Sequence, residues 1–194
     1  MSNTKLRGTL RVIGGEWRSR ILNFDATSGV RPTSDRVRET LFNWLQASTP
    51  GAICLDLFAG SGSLGIEALS RGAKDVTFVE RSNRLADELR SRLSLLEAQE
   101  RGHVVKSEAE PFLQQSNERF DIVFLDPPFS TDIIDSVCAT LETRSLLSEQ
   151  AYIYIETPRS GEPPVLPHNW SVTRAKIAGN VSYQLAQRQI DTTS

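Results

Sequence analysis

Cysteine is scarce, and its placement excludes more than its number. Cys54 and Cys138 sit inside apolar runs with no partner at CxxC or metal-ligand spacing, so neither a disulfide framework nor a zinc ribbon is on offer. The two histidines, His103 and His168, likewise have no companions at ligand spacing, and no metal site is expected. No run of 18 apolar residues occurs, and the start, Met1 to Leu10, lacks the apolar stretch of a signal peptide. A soluble, cytoplasmic protein with buried thiols, no membrane contact and no metal is the expectation. Internal repeats and low-complexity tracts are missing too.

Charge is small in sum and uneven in place. The chain of 194 residues has a net charge of −2, yet residues 1–40 hold eight basic against four acidic side chains, a local +4 that leaves −6 for the remainder. Such an end suits phosphate, or it is a solvated basic face. The length allows one full core and not two ordinary domains. We divide it as a basic N-terminal extension over 1–48 and a main domain over 49–194.

In the extension, alternation over Thr9 to Ile13, a break at Gly14-Gly15 and a return at Arg20 to Leu22 predict a small antiparallel pair. Val37, Leu41, Trp44 and Leu45 form a helical stripe, with Thr33 and Ser34 as N-cap candidates. From Ile53 short apolar runs alternate with helical stretches, the mark of a parallel sheet covered on both faces. Strands are predicted at 53–58, 76–80, 103–106, 121–126 and 152–156, with helices at 64–71, 84–98, 111–115 and 133–143. After Pro163-Pro164, the segments 171–177 and 181–189 flank a Gly179-Asn180 turn and read as a hairpin. A dinucleotide-binding sheet continues in parallel strands, whereas an antiparallel ending is the methyltransferase variant of the doubly wound α/β fold.

Two segments carry chemistry. The run from Asp56 through Phe58, Ala59, Gly60, Ser61 and Gly62 to Gly65 contains G-x-G-x-x-G between the first strand and first helix, a pattern that nucleotides of several kinds use. Asp56 before the glycines and Glu80 at the end of the second strand favour S-adenosylmethionine: Glu80 can accept from both ribose hydroxyls, Asp56 can lie near the cationic methionine end, and neither suits a pyrophosphate. Both could instead cap neighbouring helices. Arg81 follows Glu80 at that edge, and Ser107, Glu108 and Ala109 stand where the adenine would be met, unless Glu108 caps the helix that follows.

The second segment is Asp126-Pro127-Pro128-Phe129, directly after the fourth strand. Consecutive prolines fix φ and remove two donors, leaving the Pro127 carbonyl rigid beside the Asp126 carboxylate. An exocyclic amine, a poor nucleophile while its lone pair is delocalised, could give its two protons to those acceptors as Phe129 stacks on the base. The competing reading is a Pro-Pro turn with an aromatic plug. A base must be unpaired or flipped to reach such a pocket, with its flanking phosphates gripped by Arg7, Arg11, Arg18 and Arg20. Trp17 could stack on a neighbouring base or plug the seam between extension and domain.

The segments Arg11 to Gly15, Arg31 to Glu39, Asp56 to Gly62, Glu67 to Ala73 and Asp126 to Phe129 together resemble the RsmD family, bacterial guanine-N2 methyltransferases of small-subunit 16S ribosomal RNA. The resemblance implies a Rossmann-like seven-stranded sheet, S-adenosylmethionine as methyl donor, 16S rRNA in the small subunit as partner, and a monomeric enzyme of ribosome biogenesis. It adds Arg36 and Arg38 as contacts near the cleft. Two positions depart from the family pattern: Glu108, where Asp or Asn is usual, and Arg92, where Asn is frequent. Rival readings are a methyltransferase for adenine N6 or a glutamine side chain, and a catalytically silent, cofactor-binding assembly factor.

Overall fold

Alternating residues at the amino end make strand β1 (Arg7–Arg11), which pairs antiparallel with β2 (Ile21–Asp25). Helix α1 (Asp35–Trp44) follows, with Ser34 as N-cap, its side chain accepting from the Val37 N–H. The computed structural model describes residues 7–25, 33–128 and 133–189; Phe129, Arg31 and the Arg7 side chain lie outside the described residues. From Ile53 the order is β3 (Ile53–Asp56), α2 (Ser63–Ser70), β4 (Asp75–Glu80), α3 (Asn83–Leu95), β5 (Gly102–Lys106), α4 (Ala109–Gln115), β6 (Phe120–Leu125) and α5 (Ile134–Thr143). Strands β7 (Leu147–Pro158), β8 (Trp170–Ala178) and β9 (Val181–Arg188) complete it.

Seven strands form one sheet in the order β5-β4-β3-β6-β7-β9-β8. The first five are parallel; β9 runs antiparallel to β7, and β8 antiparallel to β9. Chain order reverses between β3 and β6, so a crevice opens beyond their carboxyl ends. Period-two alternation splits the core. Cys54, Ile122, Phe124 and Tyr154 face α1, α2 and α3, while Leu55, Val123, Ile153 and Ile155 face α4 and α5. Both cysteines are buried and free. Among the described residues no helix is long and apolar enough to cross a membrane.

Boundaries differ from expectation where backbone pairing outruns the apolar signal. β7 begins at Leu147, which pairs with Phe120 across a register shift, although the exposed polar residues 148–150 gave no strand pattern. α3 stops at Leu95 because Glu97 adopts φ +56 and turns Leu96 and Ala98 back into the core.

The extension is stapled to the sheet domain through one carboxylate. Glu67, fully buried in α2, accepts from the N–H groups of Ile13 (2.9 Å) and Gly14 (2.8 Å), from Arg71 Nε (2.7 Å) and from Arg38 Nη1 (3.4 Å). Gly15 has φ +78, and a Cβ there would stand 1.8 Å from the Ser70 carbonyl oxygen, so only glycine lets the turn settle on the end of α2. Leu10, Val12, Trp17, Leu22 and Phe24 then enter the same apolar cluster as α1 to α3.

Two expected RNA contacts are corrected by this packing. Arg38 is 1% exposed, and its guanidinium is spent on Thr33 O, Arg11 O, Asp35 and Glu67. Trp17 is 4% exposed beneath the Arg101 guanidinium, so it plugs the seam and offers no face to a base. Arg18 shares its turn, donating its N–H to Gly15 O. That turn rests on Ser70 and on Arg101, just before β5, at the amino edge of the strands; the crevice lies at the other edge, about 20 Å away for a six-residue strand.

Candidate active site

The carboxyl ends of β3, β4, β5, β6 and β7 deliver the glycine loop, Glu80, Ser107 to Ala109, Asp126 to Pro128, and Glu156 to one cleft of about 1010 Å³. Thr33, Ser34 and Val37 close it from the start of α1, and Ala178, Asn180 and Val181 from the β8–β9 turn. Most cofactor and catalytic candidates from the sequence therefore converge in the fold's switch-point crevice, although Phe58 and Pro128 stand 70 residues apart in the chain.

In the cofactor half, Glu80 is held from both sides. Its Oε2 accepts from the Gly60 N–H (2.9 Å) and its Oε1 from the Ser82 N–H (2.7 Å), which fixes the carboxylate while each oxygen keeps a lone pair for a ligand. Phe58, Ala59, Gly60, Ser61, Arg81, Glu108 and Ala109 line the same wall, with Leu57, Val79 and Leu85 supplying apolar surface. An anionic acceptor in an apolar slot fits the ribose and purine of a cationic nucleoside and repels a pyrophosphate. Glu108 makes no side-chain capping bond to α4, so the alternative use weighed for it is not the one it has here.

Two residues of the loop have other work. Asp56 is 3% exposed, lies outside the cleft wall, and accepts from the Gly65 N–H (3.0 Å) at the start of α2. It is thus a helix cap beneath the loop, where contact with the methionine end of a ligand was expected. Burial pushes its carboxyl up to about 7, against the Gly65 bond, with the Asp126 and Glu80 charges adding to the rise. Gly62 also misses the wall: at φ +77 it caps α2, and a Cβ would stand 2.5 Å from Leu89, so its need for glycine comes from packing α3. Arg92, one of the unusual positions, is 3% exposed and donates to Ser61 O (3.1 Å) and Asn23 O (3.1 Å), tying the loop to β2.

The other half of the cleft is acidic and sparsely partnered. Asp126 Oδ2 accepts from Thr33 Oγ1 (3.1 Å), which Ser63 Oγ approaches in turn (3.5 Å). Burial raises the Asp126 carboxyl to about 6, against that hydrogen bond. Glu156, 7% exposed, accepts from the buried Tyr154 hydroxyl (2.7 Å). Burial first and the Asp126 charge second push Glu156 to about 7, the Tyr154 bond opposing them. A second cavity of about 800 Å³ continues past Pro127, Pro128, Ile133 and Glu156 toward residues 157–165.

Sequence reasoning missed Thr33, Ser63, Tyr154 and Glu156. Thr33 was read only as a cap candidate; Ser34 takes that role and leaves the Thr33 hydroxyl for Asp126. Glu156 ends a strand as Glu80 does, which was the available signal. Arg36 is exposed in the first turn of α1 beside the cleft, while Arg11, at 60% exposure, pairs with Asp35. Arg20 is exposed in the segment that leads into β2. No group of metal-binding side chains occurs among the described residues.

Comparison with known proteins was made on this geometry. A family model described as conserved hypothetical protein 95 matches residues 10–187. Ribosomal RNA small subunit methyltransferase D of Escherichia coli is 45% identical over 182 residues, covering 94% of this chain and 91% of its own. The protein of that name from Haemophilus influenzae is 44% identical over 184 residues, with coverage of 93% and 95%. A solved Escherichia coli structure, yhhF, provisionally described as a methyltransferase, superposes with a TM-score of 0.86 at 43% identity, covering 94% of this chain and 99% of its own.

Proposed function

The chain belongs to the RsmD family and is an S-adenosylmethionine-dependent methyltransferase, and from that premise we propose that it methylates the exocyclic N2 amine of a guanine in bacterial 16S rRNA, within the small ribosomal subunit. The observation that carries this reading is Asp126: a half-buried carboxylate on a Pro-Pro-locked turn, lining the cleft that Glu80 also lines. The relatives named above are methyltransferases of small-subunit rRNA, which supports the class of substrate.

When bound, S-adenosylmethionine supplies a methyl group on a sulfonium, an electrophile that needs no metal. Glu80, Gly60 and the apolar wall from Leu57 to Ala59 would hold its nucleoside, and Glu108 with Ala109 its purine. Asp126 acts on the amine. Thr33 occupies Oδ2, so Oδ1 is left to accept one N–H, and the Pro127 carbonyl would accept the other. Holding both protons turns the amine lone pair out of conjugation and toward the methyl group. The positive charge that grows on nitrogen is stabilised by the Asp126 carboxylate, and the amine proton released by transfer is taken at Oδ1. Phe129 is proposed to stack on the base. Arg36, on the rim, is proposed to meet phosphate, giving residues 1–48 their RNA-facing part, and we propose that the enzyme works as a monomer.

Mapping modified nucleosides by mass spectrometry in small-subunit rRNA from cells lacking the gene tests this directly. One N2-methylguanosine should vanish and return on complementation. Loss of a methyladenosine instead would redirect the substrate, and an unchanged set of nucleosides would remove the reading.

A further inference from the structure

Asp126 is not alone at the acceptor end of the cleft. Glu156 follows the last β6–β7 pair in β7, beside Asp126, since β6 and β7 are paired from Phe120↔Leu147 to Leu125↔Ile155, and it lies in the wall of both cavities. The Tyr154 hydroxyl fixes one oxygen, Oε2, and among the described residues it is the carboxylate's hydrogen-bond donor. Tyr154 is itself fully buried, with its ring centroid 6.3 Å from that of Tyr183, so the anchor is packed on its ring as well as bonded at its hydroxyl. A buried acid with no cation on it among the described residues, beside an Asp126 that already offers an acceptor to an amine, calls for a ligand with a second donor.

Resting on the guanine-N2 reading above, we propose that Glu156 is the residue that selects guanine, its carboxylate accepting the ring N1–H while Asp126 accepts the adjacent N2–H. The Watson–Crick edges of the bases decide the matter. In guanine the reactive amine is flanked by a ring N–H; in adenine and cytosine the ring nitrogen beside the amine is a bare acceptor, which a carboxylate would repel. Two adjacent carboxylates therefore match the donor pair of one base and reject the others, and a site built on buried acceptors discriminates strongly because a wrong base leaves them unpaired. Burial first and the Asp126 charge second raise Glu156, and a donor on each acid offsets both.

The test uses the full-length enzyme, S-adenosylmethionine, and small-subunit particles from cells lacking the gene. Glu156→Gln keeps shape and Tyr154 contact but presents an amide where N1–H needs an acceptor. Its kcat should fall at least tenfold at unchanged cofactor affinity, and KM for the particle should barely move because phosphates dominate that affinity. If Glu156 were only a wall residue, neutralising it would relieve Asp126 of a neighbouring charge and leave transfer equal or faster; that outcome overturns the assignment. Should Glu156→Gln lose cofactor binding, Tyr154→Phe decides: an unmoored carboxylate should lower kcat threefold or more, and a wild-type rate refutes the role. Nucleoside analysis of the wild-type product separates the two claims. A product other than N2-methylguanosine ends the functional reading and this inference with it, whereas N2-methylguanosine made equally well by Glu156→Gln ends this inference alone.

Discussion

Glu67 is a carboxylate fully removed from water and Asp126 one half-buried in the cleft wall, and the molecule treats them in opposite ways. Glu67 receives two backbone N–H groups and two guanidinium groups, from Ile13, Gly14, Arg38 and Arg71. Asp126 receives one hydroxyl, from Thr33, and its neighbour Glu156 one more, from Tyr154. A saturated buried charge has nothing left to bind and serves to lock two pieces of chain in register. An under-supplied one keeps its lone pairs for a ligand at a standing cost to the fold, which is how a binding site differs from a staple of the same residue type. The same contrast separates Arg38, fully engaged, from Arg36, exposed in the same first turn of α1.

Breaking the saturated member should cost most. Glu67→Ala leaves two N–H donors and part of two guanidinium groups buried without acceptors, and should destabilise by about 3–5 kcal/mol, read as a shift in the urea midpoint. Asp126→Ala should barely touch stability, since it removes a poorly satisfied acid, yet lower kcat by about 10²–10³-fold, the range for losing one positioned electrostatic partner. Cofactor affinity by calorimetry should stay within about twofold if only the amine partner is lost. A large stability loss in the second variant, or none in the first, would erase the distinction between staple and site.

Thr33→Val sharpens the same contrast by starving Asp126 further. The Thr33 bond holds the Asp126 carboxyl down against burial, so its removal must raise that group from about 6. Transfer needs the carboxylate, so the acid limb of kcat/KM should move to higher pH by about one unit, while activity at pH 9 changes little. Stability carries the opposite sign. Asp126, Glu156 and Asp56 favour the folded state when protonated: their contribution is full below about pH 4, where unfolded carboxyls titrate, and is lost as pH rises through about 6 to 7. Against burial, Arg188, Trp170 and Asn169 hold Glu142 down to about 2, a contribution present above about 4.5 and lost as pH falls toward 2. The ligand-free protein should resist urea best near pH 5, and Asp126→Asn should flatten the decline toward pH 8.

How much of this was legible in the sequence follows from the range of each interaction. Elements from β3 to α5, the terminal hairpin and the convergence of Gly60, Glu80 and Asp126 on one edge were readable, because period and strand-end position are local properties. Asp56 was placed on the correct strand end with two roles open, and the bond it makes is the capping one: the register of its side chain against Gly65 is set by the turn itself. Arg18 was assigned to RNA from charge, Arg38 from the family resemblance, and Trp17 was left between a base and the seam. Their burial or remoteness depends on Glu67 and Ser70, more than 25 residues on, and no pattern within the extension encodes that packing. Thr33 and Glu156 were missed for the same reason, since a hydroxyl that caps nothing and a strand-end acid gain meaning only beside Asp126.

The smallest expected effect tests which edge of the sheet meets RNA. A side chain that neutralises one phosphate contributes roughly 0.9 to the slope of log K against log salt, and a contact on the correct edge is needed to make it. Arg36 is exposed beside Ser34 and Val37, which line the cleft, whereas Arg18 sits in the turn at the amino edge. Arg36→Ala should therefore weaken binding to small-subunit particles and reduce the slope by about one, and Arg18→Ala should change neither to a comparable degree. Equal slopes for the two variants would mean that RNA wraps from the crevice to the opposite edge, and a larger effect at Arg18 would put the basic turn, and not the cleft rim, at the centre of the interface.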